Sequence, residues 1–247
     1  MLPTASIIGF IPARLASTRL PRKPLLPVAG RAMLERVFAG ASACRRLAAL
    51  WVATDAEEIA AFCRARGIPV KLTSPAHRSG SDRILEALAG LPAEAVVNIQ
   101  GDEPMVRAEM LDRLLDALFA RPEIQVSTLR TLLPPEAAGS PDTVKVVCDR
   151  RGQALYFSRA AIPFPRGGAA AWKHLGYYAY SRAALERFAA LPAGELESAE
   201  RLEQLRFLEN GIPIAVADAG CDTIGVDTPE DLERAELYFR GQSRSPA

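Results

Sequence analysis

Three groups of residues have the types and spacing to do chemistry. The first is the stretch 9–26, GFIPARLASTRLPRKPLL, where Arg14, Arg19, Arg22 and Lys23 crowd a loop that also carries Ser17 and Thr18. Phosphate oxygens are held by cations and by hydroxyl or amide donors at short range, and arginine adds planar, two-pronged geometry. No GxxxxGK[ST] pattern occurs, so this is not the common nucleoside-triphosphate loop. On composition, a phosphate site and a solvated basic loop both stay open. The second group is a pair of acids. Asp102 follows an apolar run in NIQGDEP, with Glu103 beside it and Gly101 expected to allow a sharp turn; Asp227 precedes a helix start in GVDTP. Carboxylates delivered to a phosphate site suit a hard cation such as Mg2+, although each alone also reads as a turn acid or as an acid favoured by a helix N-terminus. The third group joins Arg159 and Arg166 in YFSRAAIPFPR to His174, Tyr178 and Tyr180 in KHLGYYAY. Arginine pairs with a carboxylate and the others with hydroxyls, which suits a polyhydroxylated acid; an aromatic core is the alternative for the tyrosines. Between the first two groups, HRSGSDR (77–83) places Ser79, Gly80 and Ser81 ahead of a helix, whose amides can bind an anion or a base edge; His77 reads as a structural hydrogen-bonder before a catalyst.

These residues need elements to position them. Short apolar runs at 6–11, 50–54, 69–73, 95–100 and 125–131 alternate with helical spacing at 31–43, 56–66, 79–89 and 107–120, the pattern of βαβ units in a mostly parallel sheet. In an open parallel sheet, ligands bind beyond the carboxyl ends of the strands, and the loops at 12–24, 74–82 and 100–105 all fall there. The middle changes character. Runs at 143–149, 154–160 and 174–181 are β-branched and aromatic, predicting an antiparallel second lobe with Gly167 and Gly168 in a loop. Helices are predicted at 182–191 and 197–209 and a strand at 213–217. The last helix starts in GVDTPEDLERAE, with Thr228 as N-cap, Pro229 at its first position and Asp231 as the capping acid.

Composition bounds the function. The 247 residues are 49% hydrophobic and 24% charged, enough for a sizeable core. Thirty Lys+Arg against 29 Asp+Glu give a net charge of +1, so no global field recruits nucleic acid or an anionic membrane. Cys44, Cys63, Cys148 and Cys221 form no CxxC pair and read as reduced thiols, which points to the cytoplasm. MLPTASIIGFIPAR lacks a cationic start, and no run approaches the roughly 18 apolar residues of a membrane span, so neither secretion nor membrane insertion is expected. The polar tail RGQSRSPA is expected to fray.

Taken together, IPARLASTRLPRKPL, VATD, HRSGSDR, VVNIQGDEP, VKVV, ALYFSRAAIPFPR, KHLGYYAY, LEQLRFLENG and GVDTPEDLERAE, in this order across nearly the whole chain, resemble the 3-deoxy-manno-octulosonate cytidylyltransferase family. The resemblance implies an α/β, sugar-nucleotidyltransferase (Rossmann-like) fold with a mostly parallel sheet and a smaller antiparallel substrate and dimerisation lobe. It places a nucleotide-binding core at 1–131, a sugar-binding and dimerisation lobe at 132–212 and a return to the core at 213–247. The implied reaction joins CTP and 3-deoxy-manno-octulosonate (Kdo) into CMP-Kdo and pyrophosphate for lipopolysaccharide, with Mg2+, in a homodimer. Residue by residue, it makes Arg14 and Lys23 triphosphate ligands supported by Arg19, Ser79 and Gly80 part of the cytidine pocket, and Asp102 with Asp227 the Mg2+ pair. Gln100, Arg159, Arg166, His174, Tyr178, Glu203 and Gln204 become the sugar-acid site. Three departures stand out: Arg22 where the family often has glycine, Ser81 where it often has threonine, and a connection at 167–172 shorter than is usual. Activation of a modified acid such as 8-amino-Kdo stays open, as does a non-catalytic nucleotide-sugar-binding regulator. The Arg-Gly-Gly-Ser-Lys loop typical of sialic-acid relatives is missing.

Overall fold

A computed structural model describes residues 6–15, 19–77, 79–168 and 170–242. Ser17 and Thr18 of the basic loop and 243–247 of the polar tail lie outside the described residues. The chain divides into two compact units, one formed by 1–108 with 223–247 and the other by 109–222.

In the first unit the chain runs β1 (Ile7–Ala13), β2 (Pro27–Val28), β3 (Arg31–Ala32), α1 (Met33–Ser42), β4 (Ala49–Thr54), α2 (Glu57–Ala65), β5 (Val70–Leu72), α3 (Gly80–Leu88) and β6 (Ala95–Asn98). β1 lies between β6 and β4, and β4 pairs onward with β5, all parallel: Phe10 stands opposite Asn98 and Trp51, Val52 opposite Val70. β1 and β6 are buried almost throughout, as parallel strands covered on both faces must be. α1 turns Met33, Leu34, Val37 and Ala41 inward at helical spacing. One small element was not foreseen. β2 and β3 form a hairpin whose two loop residues, Ala29 and Gly30, both have positive φ (46° and 81°), an arrangement obscured in the sequence by an alanine where Asn or Asp normally signals it.

The second unit holds α4 (Ala108–Phe119, of which Ala108 closes the first unit), β7 (Val126–Leu132), β8 (Lys145–Cys148), β9 (Ala154–Ser158), β10 (Trp172–Ser181), α5 (Arg182–Ala190), α6 (Glu195–Glu200), α7 (Leu205–Glu209) and β11 (Ile214–Asp218). β7 pairs antiparallel with β10 and parallel with β11, while β8 joins β10 and β9 antiparallel. The boundaries drawn at 131/132 and 212/213 therefore fall inside this unit, because β7 and β11 are partners in one sheet. The helix expected at 197–209 is two helices. Arg201 sits in the left-handed region (φ 54°, ψ 49°), and the amide of Leu202 reaches back to the Glu197 carbonyl at 3.3 Å, a helix-ending turn. Arg206 then ties the pieces together through two bonds to the Glu197 carboxylate, at 2.7 and 2.5 Å.

The chain re-enters the first unit as α8 (Pro229–Gln242). Its start is the reciprocal box expected from the sequence: the Asp231 amide donates to Thr228 Oγ1 at 3.3 Å and the Thr228 amide to Asp231 Oδ2 at 3.1 Å. Ala235, Leu232 and Phe239 of α8 pack with Val226, Leu20, Leu26, Val28 and Met33. This small apolar cluster anchors the basic loop beside the segment that carries Asp227. Among the described residues, no helix is long and apolar enough to cross a membrane.

Candidate active site

The parallel strands β6, β1, β4 and β5 end on the same edge, and the loops that leave β1 and β6 hold the basic group and Asp102. Gly101 shapes the turn into Asp102, for a reason other than the one expected: a Cβ there would lie 2.7 Å from the Pro12 carbonyl oxygen, so it is close approach to β1 that demands glycine. The Val226 amide donates to the Asp102 carbonyl at 2.9 Å, which brings the two acid-bearing loops side by side. Lys23, opening a short 3-10 turn, places its ammonium between them, 2.7 Å from Asp102 Oδ2 and 2.9 Å from Asp227 Oδ1. Arg19 pairs with the second oxygen of Asp227 at 3.2 Å. Burial draws the Lys23 pKa down, but the charges and hydrogen bonds of Asp102 and Asp227 outweigh it, and the net shift is upward. Burial likewise pushes Asp227 up, and the Lys23 and Arg19 cations overcome it, leaving the carboxyl below its ordinary value. The ion pairs therefore favour the charged forms of Lys23 and Asp227.

The neighbouring residues divide. Arg14 is exposed just past the end of β1, with no partner among the described residues. Arg22 occupies a left-handed position (φ 60°, ψ 26°), which glycine adopts more easily, and its guanidinium is spent on Glu58. Glu103 does not emerge beside Asp102 as expected: it is buried and accepts a 2.5 Å bond from the Thr223 hydroxyl. Ser79 caps α3, its oxygen accepting from the Asp82 amide at 3.0 Å, and Gly80 is the first residue of that helix. Gln100 lies in the same turn as Asp102, where its carbonyl accepts from the Glu103 amide at 3.3 Å. Behind α3 lies a network the sequence did not announce. Arg83 is buried, donating to Thr73 Oγ1 at 2.6 Å and to Asp55 Oδ2 at 2.8 Å, and so fixes the start of α3 to the ends of β4 and β5. The motifs VATD and SDR held the signal; the missing information was that one pairs with the other.

In the second unit the structure brings two of the expected sugar-site residues, His174 and Tyr178, into direct contact, while Arg159 bonds elsewhere. His174 Nε2 lies 2.9 Å from Thr128 Oγ1 and 3.1 Å from the Tyr178 hydroxyl. Thr128 Oγ1 also lies within hydrogen-bonding distance of the Tyr177 carbonyl at 2.8 Å and the Leu175 carbonyl at 3.2 Å. Burial lowers the His174 pKa to about 3, and the imidazole is neutral. Tyr178 is held well above its ordinary value, chiefly by burial and then by the charges of Tyr180 and Glu203, so the phenol stays protonated. Tyr178 stacks on Tyr180 and Tyr180 on Phe207, the packing the aromatic-core alternative describes, while the Tyr178 hydroxyl meets His174. Gln204 is buried at the start of α7 and Glu203 is exposed beside it. Arg159 donates through Nε to the Glu200 carbonyl and through Nη1 to the Pro141 carbonyl, both at 2.9 Å. Arg166 is exposed and bonds to none of these residues among those described. Thr128 was missed because a threonine in a β-strand needs no other explanation.

Comparison with known proteins decides the family. The family described as Cytidylyltransferase matches residues 8–215. A protein of Koribacter versatilis, named 3-deoxy-manno-octulosonate cytidylyltransferase, is 49% identical over 243 residues, covering 97% of this chain and 92% of its own. The protein of that name from Acidobacterium capsulatum is 48% identical over 238 residues, covering 95% and 97%. The chain belongs to the 3-deoxy-manno-octulosonate cytidylyltransferase family. This cytidylyltransferase also superposes on a solved CMP:2-keto-3-deoxy-manno-octonic acid synthetase complexed with CTP, with a TM-score of 0.92, 39% identity and coverage of 96% of this chain and 100% of the other. The 4-diphosphocytidyl-2C-methyl-D-erythritol synthase of Anaerococcus prevotii, at 16% identity and TM-score 0.64, shares the fold. The cytidylyltransferase is thus a nucleotidyltransferase with the mixed α/β fold of that group.

Proposed function

We propose that this cytidylyltransferase transfers CMP from CTP to Kdo, releasing pyrophosphate and activating the sugar for lipopolysaccharide synthesis. The observation that carries the reading is the Asp102–Lys23–Asp227 cluster at the carboxyl ends of parallel strands, in a chain whose relatives carry that activity in their names. The reaction forms a bond from a sugar hydroxyl oxygen to the α-phosphorus and breaks the bond to pyrophosphate; the hydroxyl proton leaves to solvent. Positioning and charge neutralisation supply most of such catalysis, so no protein nucleophile is required. Lys23, Arg14 and Arg19 are the cations that offset charge on the triphosphate, which competes with the carboxylates for Lys23. Ser79 and Gly80 offer a hydroxyl and a helix-start amide to the cytidine.

The acids fit Mg2+. Their oxygens already bracket one cation, the Lys23 ammonium at 2.7 and 2.9 Å, and Mg2+ is ordinarily held by one or two carboxylates together with substrate phosphates. Asp102 and Asp227 would hold the ion, which would polarise phosphate oxygens and acidify the attacking hydroxyl. On the sugar side, Arg159 takes the carboxylate, while neutral His174, protonated Tyr178, Glu203, Gln204 and Arg166 take hydroxyls. We further propose a cytoplasmic homodimer. Exposed Leu132, Leu155 and Phe164 give the second unit apolar surface for a second copy, and the free thiols suit a reducing compartment.

Incubating the chain with CTP, Mg2+ and a panel of Kdo, 8-amino-Kdo and sialic acid, and measuring pyrophosphate, tests the reading. Release with Kdo is expected; release with 8-amino-Kdo alone would transfer the assignment to that acid.

A further inference from the structure

Lys145 is completely buried, and no step above uses it. Its ammonium donates to three backbone carbonyls, Ser140 at 2.8 Å, Thr143 at 2.7 Å and Arg159 at 2.6 Å, so all three protons are satisfied. Burying a charge is costly even when it is well solvated by carbonyls. An apolar residue would fill the same space without that cost, so the ammonium's value lies in what it holds in place. Burial draws its pKa down, with Glu200 opposing the shift and Arg159 adding to it.

The same loop is strapped a second time. Arg159 grips the Pro141 carbonyl through Nη1 and the Glu200 carbonyl through Nε, and neither bond uses Nη2. The Glu200 carboxylate completes the frame, accepting from Ser158 Oγ at 2.6 Å and from the Arg159 amide at 2.9 Å. Burial pushes the Glu200 pKa up, but the Arg159 amide, the Ser158 and Tyr156 hydroxyls and the Arg159 charge outweigh it, so the carboxylate is ionised. Glu200 is also the last residue of α6, from which the chain turns through left-handed Arg201 to Glu203 and Gln204.

We propose that Lys145 and Glu200 are positioning residues for the sugar acid. Lys145 locks loop 140–143 to the Arg159 backbone, and Glu200 locks that backbone to the segment carrying Glu203 and Gln204, so that Nη2 of Arg159 is presented at one fixed place to a carboxylate. The proposal rests on the sugar-acid reading of Arg159, Glu203 and Gln204 above.

Steady-state kinetics on the full chain test it. Lys145→Met is expected to raise KM for the sugar acid by about 10- to 100-fold, the cost of roughly an ångström of misplacement, with KM for CTP unchanged. Lys145→Ala should recover part of that loss when propylammonium is supplied to refill the cavity with a cation. Glu200→Gln, which keeps the shape and removes the charge, should move sugar KM the same way by less. Folded variants whose sugar KM is unchanged, or whose two KM values rise equally, overturn the proposal; so does an unchanged Glu200→Gln when Lys145→Met fails to fold. Failure of the wild type to use Kdo is a separate result that sinks the substrate assignment, and the KM split is then read with whichever acid the panel accepts.

Discussion

Around Lys23 a cation is answered by side chains, whereas around Lys145 it is answered by backbone. Lys23 keeps 14% of its side chain exposed, and its partners Asp102 and Asp227 lie on loops and are themselves a third and a half exposed. Those carboxylates can trade an ammonium for a metal, and the ammonium can trade them for phosphates, because every partner is a side chain that a ligand can replace. Lys145 has no such freedom, since its acceptors are the chain itself. Charged groups that answer one another in partial contact with solvent mark a site that exchanges ligands. Those that answer the backbone in the dark mark a frame.

The comparison breaks most visibly at Asp102. Asp102→Ala is expected to cut turnover roughly 10³-fold, the scale of losing metal-assisted charge stabilisation, while calorimetric CTP binding is largely kept; an unchanged rate would remove the acid from the chemistry. Next comes Lys23→Met, expected to lower kcat/KM for CTP by about 10²-fold, comparable to removing one donor of a charge-stabilising site. The same variant deprives Asp227 of its main counter-charge, so its carboxyl should titrate at higher pH by NMR. A smaller effect sharpens the contrast with the second unit. His174 has a folded pKa of about 3 against an ordinary 6.5, so between these values the unfolded chain binds the extra proton. Stability should therefore fall as pH drops from 6.5 toward 3, by at most about 1.4 kcal/mol per pH unit, and denaturant titrations of His174→Gln should show that slope reduced. Smallest is Arg22→Gly. Relief of the left-handed backbone, lost pairing with exposed Glu58 and the added freedom of glycine in the unfolded chain nearly offset one another, leaving a stability change within about 1 kcal/mol and kinetics unaltered. A clear rise in KM for CTP would instead make Arg22 a phosphate ligand.

Much of this was legible in the sequence because periodicity is local. The parallel strands and the helices between them appear within a residue or two of where their apolar spacing put them, and α8 begins on the residues that cap it. The misses are equally physical. The break at Arg201 and the Ala29–Gly30 hairpin depend on left-handed backbone at residues that do not advertise it. Glu103 looked like a companion of Asp102 and is instead buried against Thr223, 120 residues away.

By itself the sequence determined which residue types this protein has to offer and in what order: cations after the first strand, an acid after β6, another before the last helix, and a hydroxyl-rich aromatic strand. Only the tertiary structure decided which of them meet. Lys23 stands 79 residues from Asp102 and 204 from Asp227, and no local rule reaches across such spans. The pairing is set by parallel strands that end on one edge, a glycine pressed against Pro12, and an apolar cluster that carries the start of α8 to the basic loop.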